Sequence, residues 1–229
     1  MELSTRLKTV ASYVPNNKKL ADIGSDHAYL PLYLVKRGVI EEAIAGEVVQ
    51  GTFDAAVRNV RLHGKENQIT VRLANGLQAI EENDDVQVVT IAGMGGRLIT
   101  TILEEGHERL QTVERLILQP NIHSEPIRQW AVENGWYIVE EAILEEDDHI
   151  YEILVLERGE VTYSPLELLV GPKLLVEKSE VFQKKWQEEC RSWKNVLQSL
   201  EQAKPSEEVA RKKEELRQKI EAIEKVMNP

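Results

Sequence analysis

The chain is poor in the residues that mark several common function classes. One of its 229 residues is cysteine, Cys190, so an internal disulfide is excluded and a reducing, cytoplasmic setting is expected. The five histidines are scattered, with no Cys/His spacing of the zinc type, and no metal centre is expected. No apolar run approaches the ~20 residues that cross a bilayer. The opening MELSTRLKTVASYV breaks every apolar stretch with polar residues, so neither a membrane partner nor a secretion leader is expected. A basic excess is also missing: the net charge is −11, which argues against a broad nucleic-acid-binding surface. The deficit is uneven. Residues 160–229 hold 13 basic and 13 acidic side chains, so the first 159 carry the whole of the −11. Part of it is the run Glu140, Glu141, Glu145, Glu146, Asp147 and Asp148, expected as a solvated hairpin tip. A local basic patch stays open, with Arg6 and Lys8 beside Lys18 and Lys19.

What is present is an alternation of period. Short apolar runs at 19–24, 42–48, 69–74, 86–93 and 115–120 read as buried strands. Between them lie helical stripes: Leu30, Leu34 and Val35; Phe53, Ala56, Val57 and Val60; Leu98, Ile102 and Leu103; Ile127, Trp130 and Ala131. Gly38, Gly64 and Gly135 close three of these stretches, where a left-handed cap favours glycine. This predicts an α/β fold with a parallel sheet covered on both faces. Then 136–144 and 149–159 follow each other with only an acidic turn between, which reads as an antiparallel β-hairpin. A parallel core ending in such a hairpin is the Rossmann-like arrangement of class I methyltransferases. We therefore expect a sheet domain over residues 1–160 and a helical domain over 161–229. In the latter, Phe182, Trp186, Trp193, Leu197 and Leu200, then Val209, Leu216, Ile220, Ile223 and Met227, form two heptad-like stripes broken at Pro205-Ser206. They read as a helical hairpin or coiled coil.

One stretch carries the chemistry: KLADIGSDHAYLP, at 19–31. It is a strand, a turn and a helix start, where α/β proteins hold nucleotide-like ligands. A dinucleotide fingerprint needs G-x-G-x-x-G, and a P-loop needs a Lys-Ser/Thr pair. Here Gly24 stands alone between Asp22 and Asp26. Carboxylates are unfavourable beside a pyrophosphate and favourable beside a sulfonium and an ammonium, where opposite charges ~4 Å apart gain a few kcal/mol. S-adenosyl-L-methionine (SAM) is such a ligand. Three further loops fit it. Glu47-Val48 follows Gly24 by 23 residues, where an acid bonds ribose hydroxyls; Asn75-Gly76 ends the third strand, where an amide can meet the adenine edge; IAGMGG at 91–96 offers Ala92 and Gly93 to the cofactor. Each has an ordinary alternative: a tight turn, a solvated strand end, an Asn-Gly turn, a helix entry.

With these residues in view, the chain resembles the bacterial tRNA (adenine(22)-N1)-methyltransferase family, TrmK. The matching runs are ADIGSDHAYLP (21–31), AGEV (45–48), NGL (75–77), IAGMGG (91–96), LQPN (118–121) and HIYEILV (149–155). The resemblance covers residues 1–159, and a helical C-terminal part is expected of the family. It implies transfer of a methyl group from SAM to N1 of an adenosine in the D-arm region of tRNA. Asn75 stands where many SAM enzymes carry Asp.

Adenine N1 has an in-plane lone pair and no proton, so the reaction needs positioning and charge accommodation rather than a strong base. Candidate catalytic residues are Asp26 for the exocyclic amine or nascent cation, Tyr29 for stacking on the adenine, and Met94 lining the transfer position. The cofactor set is Asp22, Gly24, Ser25, Asp26, Glu47, Val48, Asn75, Gly76, Ala92 and Gly93. Substrate contacts are expected from Arg6, Lys8, His27, Gly95 and Asn121, and from Lys184, Lys185, Arg211, Lys212 and Lys213 if the helical part grips RNA. His123 reads as a loop residue, and Trp130 and Trp136 as core. A monomer is the expected state. The alternative is a methyltransferase of a small molecule or protein, with the helices as lid or dimer contact; a second is a SAM-binding module without activity.

Overall fold

In the computed structural model the chain is described at residues 2–202, 204 and 206–227. It divides into two compact units, residues 1–173 and 174–229. The division lies beyond the expected boundary at 160. The reason is local: Arg128 donates to the carbonyls of Leu168 and Leu169, and the N–H of Lys173 donates to Glu141, so the segment up to Lys173 belongs to the packing of the sheet.

The first unit is a seven-stranded sheet in the order β3-β2-β1-β4-β5-β7-β6. Strands β1 (Leu20–Ile23), β2 (Ala43–Glu47), β3 (Ile69–Leu73), β4 (Val88–Gly95) and β5 (Arg115–Ile122) are parallel, and β6 (Trp136–Glu146) and β7 (His149–Arg158) add the antiparallel hairpin. Every residue of β1 and β2 is buried, as strands covered on both faces must be. Helices α1 (Thr5–Ser12), α2 (Tyr29–Lys36) and α3 (Gln50–Leu62) pack a core around Val10, Leu20, Leu34 and Val60. Helices α4 (Gly96–Glu105) and α5 (Glu125–Glu133) pack the other, around Ile91, Ile99, Leu103 and Trp130. The phase of α4 differs from the stripe expected for it: Ile99 is buried while Leu98 is 53% exposed. Gly38, Gly64 and Gly135 take positive φ at helix ends, as expected.

Chain order reverses between β1 and β4. The first three strands step one way across the sheet and the next two step the other, so the carboxyl ends of β1 and β4 flank a crevice. Helix α1, which the periodicity did not reveal, is tied beside it. Its first two N–H groups, at Thr5 and Arg6, donate to Glu146 of the β6–β7 hairpin at 2.5 and 3.1 Å.

The acidic run at the hairpin is therefore not uniformly solvated. Glu141 is buried, with Glu152 on the neighbouring strand, around the fully buried Arg128 of α5. Burial pushes the Glu141 carboxyl up, and the Glu152 charge adds to it against the pull of Arg128. Gly171, at φ +95°, passes so close that a Cβ there would strike this cluster. Short helices α6 (Pro165–Val170) and α7 (Pro172–Glu177) follow, α6 with a Ser164–Glu167 capping box.

The second unit is an α-hairpin of α8 (Glu180–Glu201) and α9 (Glu207–Met227). Lys178, just before α8, donates to the Val226 carbonyl near the end of α9, so the helices run antiparallel. Phe182, Trp186, Cys190, Leu216, Ile220, Ile223 and Val226 are buried. Val226, not Met227, closes the second stripe. The Ser206 hydroxyl accepts from Val209 N–H as a cap, whereas Pro205, the expected break, lies outside the described residues. Burial pushes the Cys190 thiol up, the direction that disfavours the thiolate.

Candidate functional site

A cleft of about 360 Å³ opens at the crevice. It brings together Arg6, Asp22, Gly24, Ser25, Asp26, Tyr29, Ala92, Gly93, Met94 and Asn121 of the expected residues, and adds Leu7, Leu30 and Tyr151.

The two aspartates of the β1 turn differ. Asp22 is 4% exposed, with one carboxylate oxygen accepting from Thr90 Oγ1 and the other from Ser25 Oγ, each at 2.6 Å. Burial raises its pKa to about 6; the two hydroxyl bonds oppose the rise, and the charges of Glu47 and Asp26 add to it. Asp26 is exposed, with His27 Nε2 at 3.4 Å as its neighbour. Gly24 sits at φ +69°, and a Cβ there would collide with the Met94 methyl. After it, Asp26, His27 and Ala28 take φ of +44°, +65° and +57° in succession, a conformation costly for residues with a Cβ. Asn59 of α3 braces this run, donating to the His27 carbonyl at 2.7 Å. Tyr29 is 39% exposed over the cleft, its ring stacked on His27 at 5.4 Å.

The wall opposite in sequence is built by two side-chain amides. Gly93, at φ +78° where the β4–β5 register slips, donates its N–H to Gln119 Oε1 at 2.9 Å and accepts at its carbonyl from Asn121 Nδ2 at 2.8 Å. Gln119 Nε2 reaches Asn121 Oδ1 at 3.3 Å, closing the clamp. Arg6 Nη1 also donates to Gln119 Oε1. Not every glycine of IAGMGG serves a ligand: a Cβ on Gly96 would overlap the His123 carbonyl, so that glycine lets α4 begin against the end of β5. Gly95 pairs with Ile122 in the ladder, outside the cleft lining.

Glu47 ends β2 and Val48 follows it, and Asn75 and Gly76 follow β3, at the same carboxyl edge of the sheet. Val48 and Asn75 are exposed. Glu47 is 5% exposed and its Oε1 has no partner among the described residues. A buried carboxylate oxygen without a donor is costly unless a ligand supplies one. A ribose diol does so, and two acidic groups at this edge suit a cationic ligand and oppose a diphosphate. The donor set therefore fits SAM.

Other expected contacts fall elsewhere. Lys8 is exposed, 4.0 Å from Glu2, and does not line the cleft; nor does His27. Lys18 and Lys19 precede β1 at the far edge of the sheet, paired with Glu114 and Glu42, so no patch joins them to Arg6. Lys184, Lys185, Arg211, Lys212 and Lys213 belong to the helical unit; Lys184, Arg211 and Lys212 are exposed, and Lys212 pairs with Glu215 at 3.0 Å. Sequence reasoning passed over Gln119 and Tyr151. The signal for Gln119 was a polar residue inside the apolar strand RLILQP, since a buried amide in a sheet needs partners. Among the described residues no cluster suits a metal ion, and no helix is long and apolar enough to cross a membrane.

Comparison with known proteins places this cleft in a family context. The family model for tRNA (adenine(22)-N(1))-methyltransferase, TrmK, matches residues 20–225. A Bacillus subtilis tRNA (adenine(22)-N(1))-methyltransferase is 48% identical over 195 residues, 82% of each chain. A Streptococcus pneumoniae structure in complex with S-adenosyl-L-methionine superposes at TM-score 0.90 with 49% identity, covering 99% of this chain and 100% of that one. Mycoplasma capricolum TrmK in complex with S-adenosyl-homocysteine gives TM-score 0.88 at 30% identity, over 100% and 99% of the two chains. On sequence and fold, the chain belongs to the tRNA (adenine(22)-N(1))-methyltransferase family.

Proposed function

We propose that this protein is a cytoplasmic enzyme that methylates N1 of adenosine 22 in tRNA, using SAM. The observation that carries the cofactor reading is the buried Glu47 oxygen without a partner among the described residues, at the same sheet edge as an acidic turn. Bound there, SAM supplies an electrophilic methyl group, and its transfer to the N1 lone pair leaves a neutral thioether and a cationic adenine ring.

The chain's own residues supply position and charge. Glu47 accepts from the ribose hydroxyls, Asn75 meets the cofactor's adenine edge, and Gly24, Ser25, Val48, Gly76 and Ala92 give the backbone room. Asp22 holds the turn through Ser25 and Thr90 rather than reaching outward. Asp26 accepts from the exocyclic amine and balances the positive charge that develops on the ring, a role supported by its exposure in a loop of positive φ at the cleft. Tyr29, backed by His27, offers a face for the target base. Met94 closes the floor against Gly24, and Asn121 fixes the Gly93 peptide, so the transfer position is rigid. Lys8 and the basic residues of α8 and α9 (Lys184, Lys185, Arg211, Lys212, Lys213) contact the tRNA backbone.

Incubating the purified protein with labelled SAM and unmodified tRNA, then mapping the modified nucleoside, tests this reading. N1-methyladenosine at position 22 is the expected product. Label in a small molecule or protein fraction, with none in tRNA, would replace the reading with the other methyltransferase class.

A further inference from the structure

Met94 and Asn121 line the cleft, and the residues that follow them, Gly95 and Ile122, carry a feature that the fold does not require. Gly95 pairs with Ile122 in the last rung between β4 and β5 and is half-buried. Its φ of −72° and ψ of 145° are open to any residue. Among the described residues, its chain neighbours apart, a Cβ there would meet only Ile122 Cγ1, at 4.0 Å, an ordinary contact. Gly95 is also the N-cap of α4, and no side chain caps that helix. Serine, aspartate or asparagine in its place would satisfy one of the orphan N–H groups. Gly24 and Gly93 take positive φ, and a Cβ on Gly96 would strike the His123 carbonyl. Gly95 forgoes a cap for neither reason.

What glycine leaves is a strip of bare backbone with an isoleucine beside it. Ile122 is 61% exposed. One exposed apolar side chain needs no explanation by itself. Standing next to an unneeded glycine, at the rim of the cleft, it does. Arg97, exposed in the first turn of α4, adds a positive charge two residues after Gly95, whereas the aspartates of the β1 turn repel phosphate.

The chemistry of the reaction says what arrives at this rim. N1 lies on the Watson–Crick edge of adenine, so the target base leaves its stack to meet the methyl group, and the nucleotide beside it loses a stacking partner. An apolar side chain at the point of departure replaces that partner, as isoleucine and leucine wedges do between base steps. A base lying against Ile122 needs the space over Gly95 free of any side chain.

We infer that Gly95 and Ile122 seat the nucleotide adjacent to the target adenosine, with Arg97 as the contact for its phosphate. The inference rests on the tRNA reading above and deepens it, by naming how the strand is held once the target base has left it.

Gly95→Ser and Ile122→Ser, assayed on intact tRNA and on transcripts lacking the base 5′ or 3′ of the target, test this. Gly95→Ser should melt at the same temperature or higher, because it gains a cap, and should bind SAM as the wild type does in calorimetry. On intact tRNA each variant should lose about tenfold in kcat/KM, the scale of one lost base contact. The wild type should lose a similar factor on one of the two abasic transcripts, and on that transcript the variants should lose less than about twofold more. Losses that multiply, or variants with undiminished kcat/KM on intact tRNA, would overturn the proposal. Weakened SAM binding in both variants would overturn it too, by moving the strip into the cofactor site. Wild-type protein that binds SAM and leaves intact tRNA unmethylated would overturn the tRNA reading itself, a result distinct from these.

Discussion

Two regions of the sheet unit bury carboxylates, and they bury them differently. In the hairpin, Glu141 and Glu152 close on Arg128, whose remaining N–H groups reach the Leu168 and Leu169 carbonyls. The Arg128 pKa is raised: burial opposes the charge, and the two carboxylates outweigh it. At the sheet edge, Asp22 accepts from two hydroxyls, and Glu47 keeps an oxygen with no donor among the described residues. The first cluster is closed, and its ligands are parts of the chain. The second lies at the carboxyl edge of the sheet, where Asp22 lines the cleft. A buried charge with its donors in place is architecture, and one held short of them beside a cavity is prepared for something that binds.

Removing one member of each cluster should sharpen that contrast. Arg128→Met has the largest expected effect, because it strands two carboxylates in the interior; stability in urea should fall by about 3–5 kcal/mol. Asp22 comes next, through pH. Its folded pKa of about 6 lies above the unfolded 3.8, so in that window the folded state retains a proton that the unfolded chain has released. The contribution is therefore most favourable below pH 4 and declines as pH rises to 6, by on the order of 3 kcal/mol. Denaturant titrations across pH 4–7 should show this decline in the wild type and lose it in Asp22→Asn. Asp26→Ala should reduce turnover about a hundredfold, comparable to loss of one electrostatic contact in a transition state, while SAM affinity changes little. Calorimetry beside single-turnover assays checks the split, and the reverse pattern would place Asp26 in the cofactor shell.

Much of this was legible in the sequence because burial on both faces writes strands as unbroken apolar runs. All seven strands fall within a few residues of their expected spans, and the glycine-closed helices end where expected. The solitary-glycine acidic turn was also visible, being local. What could not be read depends on distant partners. Arg6 looks like a surface base until Gln119, 113 residues away, draws it inward. Glu146 looks like part of a solvated charge run until α1, 141 residues earlier, takes it as a cap. Glu141 sits in the same run, yet its neighbour across the hairpin and an arginine from α5 bury it. Asp22 and Asp26 look equivalent in DIGSD, and only strand geometry shows that one faces hydroxyls and the other solvent. The phase of α4 was misplaced by one residue because Leu98 and Ile99 are both apolar, and periodicity cannot choose between adjacent candidates.

The central claim is that Glu47 is left incomplete for a ligand, and Glu47→Gln tests it most directly when apo stability and SAM affinity are measured on the same protein. With the buried charge removed, the apo protein should melt at the same temperature or higher, while SAM binds about tenfold more weakly for want of a charged acceptor. A destabilised apo protein with undiminished SAM affinity would show that Glu47 serves the fold, and would contradict the account.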